Sequence, residues 1–317
     1  MGRAAITDCT VAVFGATGFV GRYLVNRLGQ SGLKIKCAFR GDEYDVWPLR
    51  QMGELGHIKP IRFHLSNPDS IRQIVHDSDV TVNLMAQDRK SWNFTVDQVN
   101  VEGARMVSKA CVEAGSQLIH VSHLAASEGN KSDFLKSKFA GEQQVRESNP
   151  EAIIVRPGSI FGQEDRFTKA IATFLRLPMG VPVLGKGSAI KYPVYVGDVA
   201  EGLHQIILNR DTIEPGTVFD FCGLDHFCVV FPLINTKNRP QRYTWLDVIE
   251  WLKYYSMKNF KVFEMQNPRL FNWYSRIGVD WRRPMFTTDL AVAVFLFFFD
   301  SFSSNRLLKR SGQRMRD

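Results

Sequence analysis

Residues Val11-Ala12-Val13-Phe14 form a short apolar run that breaks at Gly15, continues through Gly18 to Gly21, and resumes as Arg22-Tyr23-Leu24-Val25-Asn26-Arg27-Leu28. This order is strand, tight turn, helix, and it commits the chain to a parallel α/β architecture. In such a unit Gly15 permits the turn, Gly18 lets the backbone approach a pyrophosphate, and Gly21 lets helix and strand pack closely. The helix N-terminus then offers unpaired N–H groups and the positive end of its dipole to phosphate. The spacing is G-x-x-G-x-x-G, displaced from the commoner G-x-G-x-x-G, and the strand before it and helix after it supply the context the motif needs. Gly15, Ala16, Thr17, Gly18, Phe19, Val20 and Gly21 are therefore candidate dinucleotide contacts.

With 317 residues, 44% of them hydrophobic, there is material for one large α/β core and a smaller appended region. The division expected is a nucleotide-binding domain over 1–222 and a docking region over 223–317. Five cysteines with no C-x-x-C pair make neither a disulfide framework nor a zinc site, which points to a reducing compartment. A net charge of +8 favours an acidic partner or an anionic membrane surface. The basic residues are scattered and no recognition motif accompanies them, so nucleic acid is not expected as a partner. The first strand begins within about ten residues of the start, leaving no room for a targeting segment ahead of the fold; either targeting is absent or a presequence has been removed.

Further strands are expected over Leu33–Phe39, Ile61–Leu65, Asp79–Ala86, Gln117–Ser122 and Ile153–Val155, with helices over Ser70–His76, introduced by the Asn67-Pro68-Asp69 turn, and Val96–Ala114. Strands alternating with helices at this spacing give a doubly wound parallel sheet whose ligand lies outside the carboxyl ends of the strands. Those ends place Gly15, Arg40, Leu65, Ala86 and Ser122 along one edge. Arg40 follows the second strand, where an acidic residue would bond the ribose 2′-hydroxyl of NAD and an arginine suits the 2′-phosphate of NADP. Leu65 is placed against the adenine, and the small Ala86 lets the cofactor pass close by.

These segments together with Asn100-Val101-Glu102-Gly103, Val121-Ser122-His123-Leu124, Lys138 followed by Gly141-Glu142, Val155-Arg156-Pro157-Gly158-Ser159-Ile160-Phe161-Gly162 and Pro193-Val194-Tyr195-Val196-Gly197-Asp198-Val199-Ala200 resemble the extended or atypical short-chain dehydrogenases/reductases. More narrowly, His120–Leu124, Glu151–Pro157, Phe161–Phe167 and Pro193–Val196 resemble the reductase-like accessory subunits of mitochondrial NADH:ubiquinone oxidoreductase, respiratory complex I. The resemblance covers residues 8–222 well and the remainder weakly. It implies an NADPH held as a structural ligand, other complex I subunits as partners, and a place at the matrix side of the mitochondrial inner membrane. It extends the candidate contacts to Met85, Val121, Ser122, Lys138, Pro157, Gly158 and Ile160, with the Pro157-Gly158 loop closing over the nicotinamide.

Dehydrogenases of this superfamily place a tyrosine four residues before a lysine, so that both side chains share one helix face and the phenol transfers a proton. Here the pair reads Phe134-Leu135-Lys136-Ser137-Lys138. Phe134 has no hydroxyl, and no tyrosine stands between Tyr44 and Tyr192 to replace it. The superfamily's serine is not matched either, since His123-Leu124 follow Ser122. The expectation is a chain without catalytic residues, in which Lys138 bonds the nicotinamide ribose; the alternative is an active NADPH-dependent reductase of a small carbonyl compound with a relocated donor such as His123. His123 itself is expected to be satisfied by local backbone. His120 and His123 sit on strand and loop, a placement that does not make a metal site.

Tyr254–Lys258 contains Y-x-x-x-K by chance, in a segment placed too late to face this cofactor. Gly180–Lys186 mimics a phosphate loop without the strand and helix that such a loop requires. In the second half, a helix is expected over Phe167–Leu177, a short strand over Val194–Val199, a helix over Ala200–Asn209 and a last strand over Val218–Phe221. The segment His226–Arg242 has no assigned role. Leu290–Phe299 is an apolar run of about ten residues, half of what a membrane span needs. Followed by Arg306, Lys309, Arg310, Arg314 and Arg316, it reads as an interfacial anchor on anionic lipid, as a docking surface for a partner, or as a buried C-terminal helix with a solvated tail.

Overall fold

The computed structural model describes residues 9–166, 181–184, 190–222, 243–244 and 262–265. Seven parallel strands make the main sheet: β1 (Thr10–Phe14), β2 (Lys34–Phe39), β3 (Ile58–Arg62), β4 (Val80–Asn83), β5 (Gln117–Val121), β6 (Ile153–Pro157) and β11 (Val218–Phe221). Their spatial order is β11-β6-β5-β4-β1-β2-β3. The chain therefore winds outward from β1 in one direction, returns to β4 on its other side, and winds outward again. The crevice between the carboxyl ends of β1 and β4 is the switch point at which such sheets receive ligands.

Alternation along β1 divides the core into two layers. Val11 and Val13 face α1 (Phe19–Gln30), whose Leu24, Val25 and Leu28 are fully buried, while Ala12 and Phe14 face the opposite side. On that second side lie α3 (Pro68–Val75), α4 (Gly103–Ala114) and α5 (Asp133–Ser148), contributing Ile71, Ile74, Val107, Cys111 and Val145. The short helix α2 (Trp47–Arg50) buries Leu49 in the α1 layer. That layer is completed by α6 (Val196–Leu208). Its buried Val196, Val199, Ala200, Leu203, Ile206 and Ile207 follow the helical period, and Ser31 Oγ meets His204 Nε2 at 2.8 Å across the seam with α1.

Several boundaries differ from the sequence expectation, each for a physical reason. The third strand runs from Ile58 rather than Ile61 because it is the sheet's edge, where the missing N–H of Pro60 costs no ladder bond. Strand β4 ends at Asn83 rather than Ala86, since the Asn83 side chain captures the Met85 N–H at 3.1 Å and turns the chain out. The Val194–Val199 run divides: β10 (Pro193–Tyr195) pairs with β7 (Ser159–Phe161), and α6 begins at Val196. The expected helix over Val96–Ala114 is present, with a wide turn at Gln98–Glu102 leading into α4. Asn67 caps α3 as expected, accepting the Asp69 N–H at 3.1 Å.

The structure has two compact units. The first comprises residues 1–168 and 189–247 and includes, besides the main sheet, the antiparallel pair β9 (Ile190–Lys191) and β12 (Tyr243–Thr244). The second comprises residues 169–188 and 248–317, and its described part is the parallel pair β8 (Val181–Leu184) and β13 (Val262–Met265). Phe167–Leu177, His226–Arg242, Tyr254–Lys258 and the apolar and basic C-terminal run lie outside the described residues. Among the described residues no helix is long and apolar enough to cross a membrane.

Candidate functional site

The site starts at the turn after β1. Gly15 has φ +83°, a conformation that L side chains rarely adopt, and a Cβ there would lie 3.2 Å from the Leu84 backbone on β4's exit. The Gly18 N–H donates to the Gly15 carbonyl at 3.0 Å and closes the turn. Gly21 is demanded by contact rather than by φ: a Cβ would stand 2.2 Å from the Gly15 carbonyl oxygen. Between these glycines Ala16 is buried, Thr17, Phe19 and Val20 are half-buried, and Gly18 is exposed. Helix α1 has Gly18 as its N-cap, with no side-chain cap and no acidic residue in its first turn. Its free N–H groups and dipole are thus open to an anion, which suits the pyrophosphate of a dinucleotide.

The other expected contacts line the same edge. Arg40 emerges from β2, exposed, with its guanidinium carbon 5.8 Å from the Phe94 ring centroid. Leu65 has its side chain buried in the core, against the space a Cβ on Gly103 would fill. Met85 is half-buried and Ala86 exposed where the chain leaves β4. Val121 and Ser122 are buried at the end of β5, and the Ser122 N–H donates to the Val155 carbonyl at 2.8 Å. Pro157 and Gly158 are buried and Ile160 half-buried at the end of β6. Gly158 also answers a packing demand, because a Cβ would lie 2.0 Å from the Tyr192 carbonyl oxygen.

Helix α5 brings Phe134 and Lys138 to this edge on one face, a turn apart. Lys138 is buried, and its ammonium donates to the Val121 carbonyl at 3.0 Å and the Met85 carbonyl at 3.3 Å, tying the ends of β5 and β4 together. Burial pushes its pKa down to about 8. The Phe134 ring stands edge-on to His123, with ring centroids 6.5 Å apart. His123 is satisfied by local backbone, its Nδ1 accepting the Ala125 N–H at 3.0 Å. Burial, then the Lys138 and Lys191 charges, push His123 down to about 4, so the imidazole is neutral at physiological pH and carries no acidic proton to give. His120 points into the core, where burial and Lys138 lower it to about 3. Among the described residues no group of His, Cys, Asp and Glu is arranged to hold a metal.

Two supports were not singled out as contacts from sequence. Glu142 lies on the buried face of α5 and takes both Arg156, whose Nε donates at 3.1 Å, and Arg146, whose Nη2 donates at 3.1 Å. Burial alone would raise its pKa, but the two arginines outweigh it and hold the carboxylate ionised. Asn100 is likewise buried, donating to Ser137 Oγ at 2.8 Å and to the Gln87 carbonyl at 2.9 Å, while Gly141 opposite leaves no room for a Cβ. Glu142 follows Gly141 in sequence and Asn100 stands between two valines, but Arg156 for the first and Gln87 and Ser137 for the second become their partners only in the fold.

Comparison with known proteins agrees with this geometry. The chain is 40% identical over 236 residues to the mouse (Mus musculus) protein "NADH dehydrogenase [ubiquinone] 1 alpha subcomplex subunit 9, mitochondrial", covering 74% of this chain and 62% of the relative. It is 38% identical to the Neurospora crassa "NADH-ubiquinone oxidoreductase 40 kDa subunit, mitochondrial", over 67% of this chain and 55% of that one. The chain thus spans about three-fifths of the length of these relatives. Among solved structures, a Bacillus anthracis dTDP-4-dehydrorhamnose reductase in complex with NADP superposes with a TM-score of 0.58 at 17% identity, covering 84% of this chain and 87% of that one, a likeness of fold. The switch-point crevice, the glycine turn and a match over residues 11–222 lead to one conclusion: the chain belongs to the NAD dependent epimerase/dehydratase family.

Proposed function

We propose that this protein is a non-catalytic, NADPH-binding accessory subunit of mitochondrial complex I, held among other subunits of that assembly on the matrix side of the inner membrane. The observation that carries the proposal is Phe134, which brings a benzyl ring to the position one turn before Lys138, beside a glycine turn otherwise built for a dinucleotide. Positioned proton transfer contributes roughly a hundred- to ten-thousand-fold to reactions of this kind. Bound NADPH carries a transferable hydride, but the benzyl ring supplies no proton to match it. Lys138 remains as a binding group, and the N-terminus of α1 and Arg40 provide positive charge for the pyrophosphate and the 2′-phosphate. The names of the relatives support the assembly, and the basic C-terminal sequence supports contact with anionic inner-membrane lipid.

The test is to isolate respiratory complex from the native membrane, identify this chain in it, and assay released nucleotide together with NADPH oxidation by the purified chain on small carbonyl compounds. The expected result is NADPH recovered in stoichiometric amount and no turnover. Turnover in the ordinary enzyme range, about one per second or faster, would replace this reading with that of an active reductase. Absence of the chain from the isolated complex would remove the assembly part of it.

A further inference from the structure

We infer that Phe94 is a specificity-determining positioning residue, whose ring holds the Arg40 guanidinium in place for the 2′-phosphate of a phosphorylated adenine dinucleotide. The inference rests on the NADPH reading above and adds the device that makes Arg40 selective. Arg40 is exposed, and its guanidinium carbon lies 5.8 Å from the centroid of the Phe94 ring. A cation over the negative face of an aromatic ring is attracted to it, and a guanidinium held in this way keeps edge N–H donors for a second partner. Among the described residues Arg40 has no ion-pair partner, although Asp42, Glu43 and Asp45 follow closely in sequence. Its charge is therefore left for a ligand.

The ring is itself fixed, which a chance surface contact does not require. Phe94 is half-buried and packs against the core layer that contains Phe14 and Phe63. Its carbonyl accepts from the Ser91 N–H at 3.0 Å, from Ser91 Oγ at 3.1 Å and from Gln87 Nε2 at 3.1 Å, and its own N–H donates to Ser91 Oγ at 3.2 Å. Gln87 is pinned in turn by a reciprocal pair with buried Asn100, whose Oδ1 accepts the Gln87 N–H at 2.8 Å. A loop with no regular secondary structure is thus clamped where Phe94 meets the arginine, while its other aromatic residue, Trp92, stays exposed. A free arginine spends rotamer freedom when it binds phosphate, whereas one already held over a ring has spent it beforehand. The benefit falls only on a ligand that carries the 2′-phosphate.

The experiment measures dissociation constants of the full chain for NADPH and NADH in wild type, Phe94→Leu, Phe94→Tyr and Arg40→Ala, with Phe94→Met as the volume-preserving substitute should the leucine variant melt early. The expected result is that Phe94→Leu weakens NADPH about three- to tenfold while NADH changes less than about twofold, and that Phe94→Tyr restores wild-type selectivity. Arg40→Ala is expected to bring the two nucleotides to similar affinity. If Arg40→Ala removes selectivity while Phe94→Leu and Phe94→Met leave the NADPH-to-NADH ratio unchanged, the inference fails and the NADPH reading stands. If Arg40→Ala leaves the ratio unchanged, both fail.

Discussion

One hydrogen atom at residue 21 allows helix α1 to begin where it does. A methyl group there would lie 2.2 Å from the Gly15 oxygen and 2.7 Å from the Ala16 oxygen, and both obstacles are backbone, so neither can swing aside. Gly21→Ala is expected to cost about 3 kcal/mol or more, seen as a fall in the urea midpoint with little change in slope. An unchanged midpoint would mean that the turn has slack. The three glycines were legible in the sequence because their roles are local, set by residues three and six apart. Phe94 and Glu142 were not, because what gives each its role lies on another element: Arg40 for the first, Arg156 for the second. Leu65 shows the same limit. Its nearness to the carboxyl end of the third strand could be read in advance, although β3 ends at Arg62 rather than at Leu65 itself, whereas the burial of its side chain against Gly103 comes from the packing of α4.

Among elements, α5 joins the two halves of the site. Lys138 reaches from it to the carbonyls that end β4 and β5, at the expense of burying an ammonium group. Its pKa is near 8 in the fold and near 10.5 when exposed, so between those values the unfolded chain holds a proton that the folded chain has released. Stability contributed through this group therefore rises as pH climbs through that window. Comparing wild type with Lys138→Met by chemical denaturation at about pH 7.5 and about pH 9.5, the difference should move in favour of wild type by on the order of 1–2 kcal/mol. No movement would mean that the ammonium is better solvated than its burial implies. Elements with a clear period were legible, β11 with its bounds and β1 and α1 to within three residues at each end. The start of α6 was not, since Val194–Val199 is apolar enough for a strand, and the chain turns helical at Val196 to pack Val199, Leu203 and Ile206 into the α1 layer.

For the whole molecule, a ligand seated across several strand ends stabilises the fold by mass action, because the unfolded chain has no such edge. NADPH at about a hundred times its dissociation constant should add about 2.7 kcal/mol, a rise of roughly 5–10 °C in melting temperature for a unit of this size, with NADH at the same concentration giving less. Equal shifts from both would indicate a site blind to the 2′-phosphate. The two units also interleave: the second takes residues 169–188 from before position 222 and residues 248–317 from after it. Pairing of β8 with β13 brings these distant stretches together, and composition along the chain gives no sign of it.

The order of strands and helices, the glycine turn, the arginine after β2 and the missing phenol at Phe134 follow from the sequence by itself, because period, turn chemistry and residue identity act over a few neighbouring positions. Tertiary structure alone decided that Lys138 ties two strand ends, that Phe94 supports Arg40, that Glu142 lies buried between arginines, and that β8 pairs with β13. These depend on distances between residues far apart in the chain, and such distances are fixed only once the sheet has set its register and the helices have packed against it.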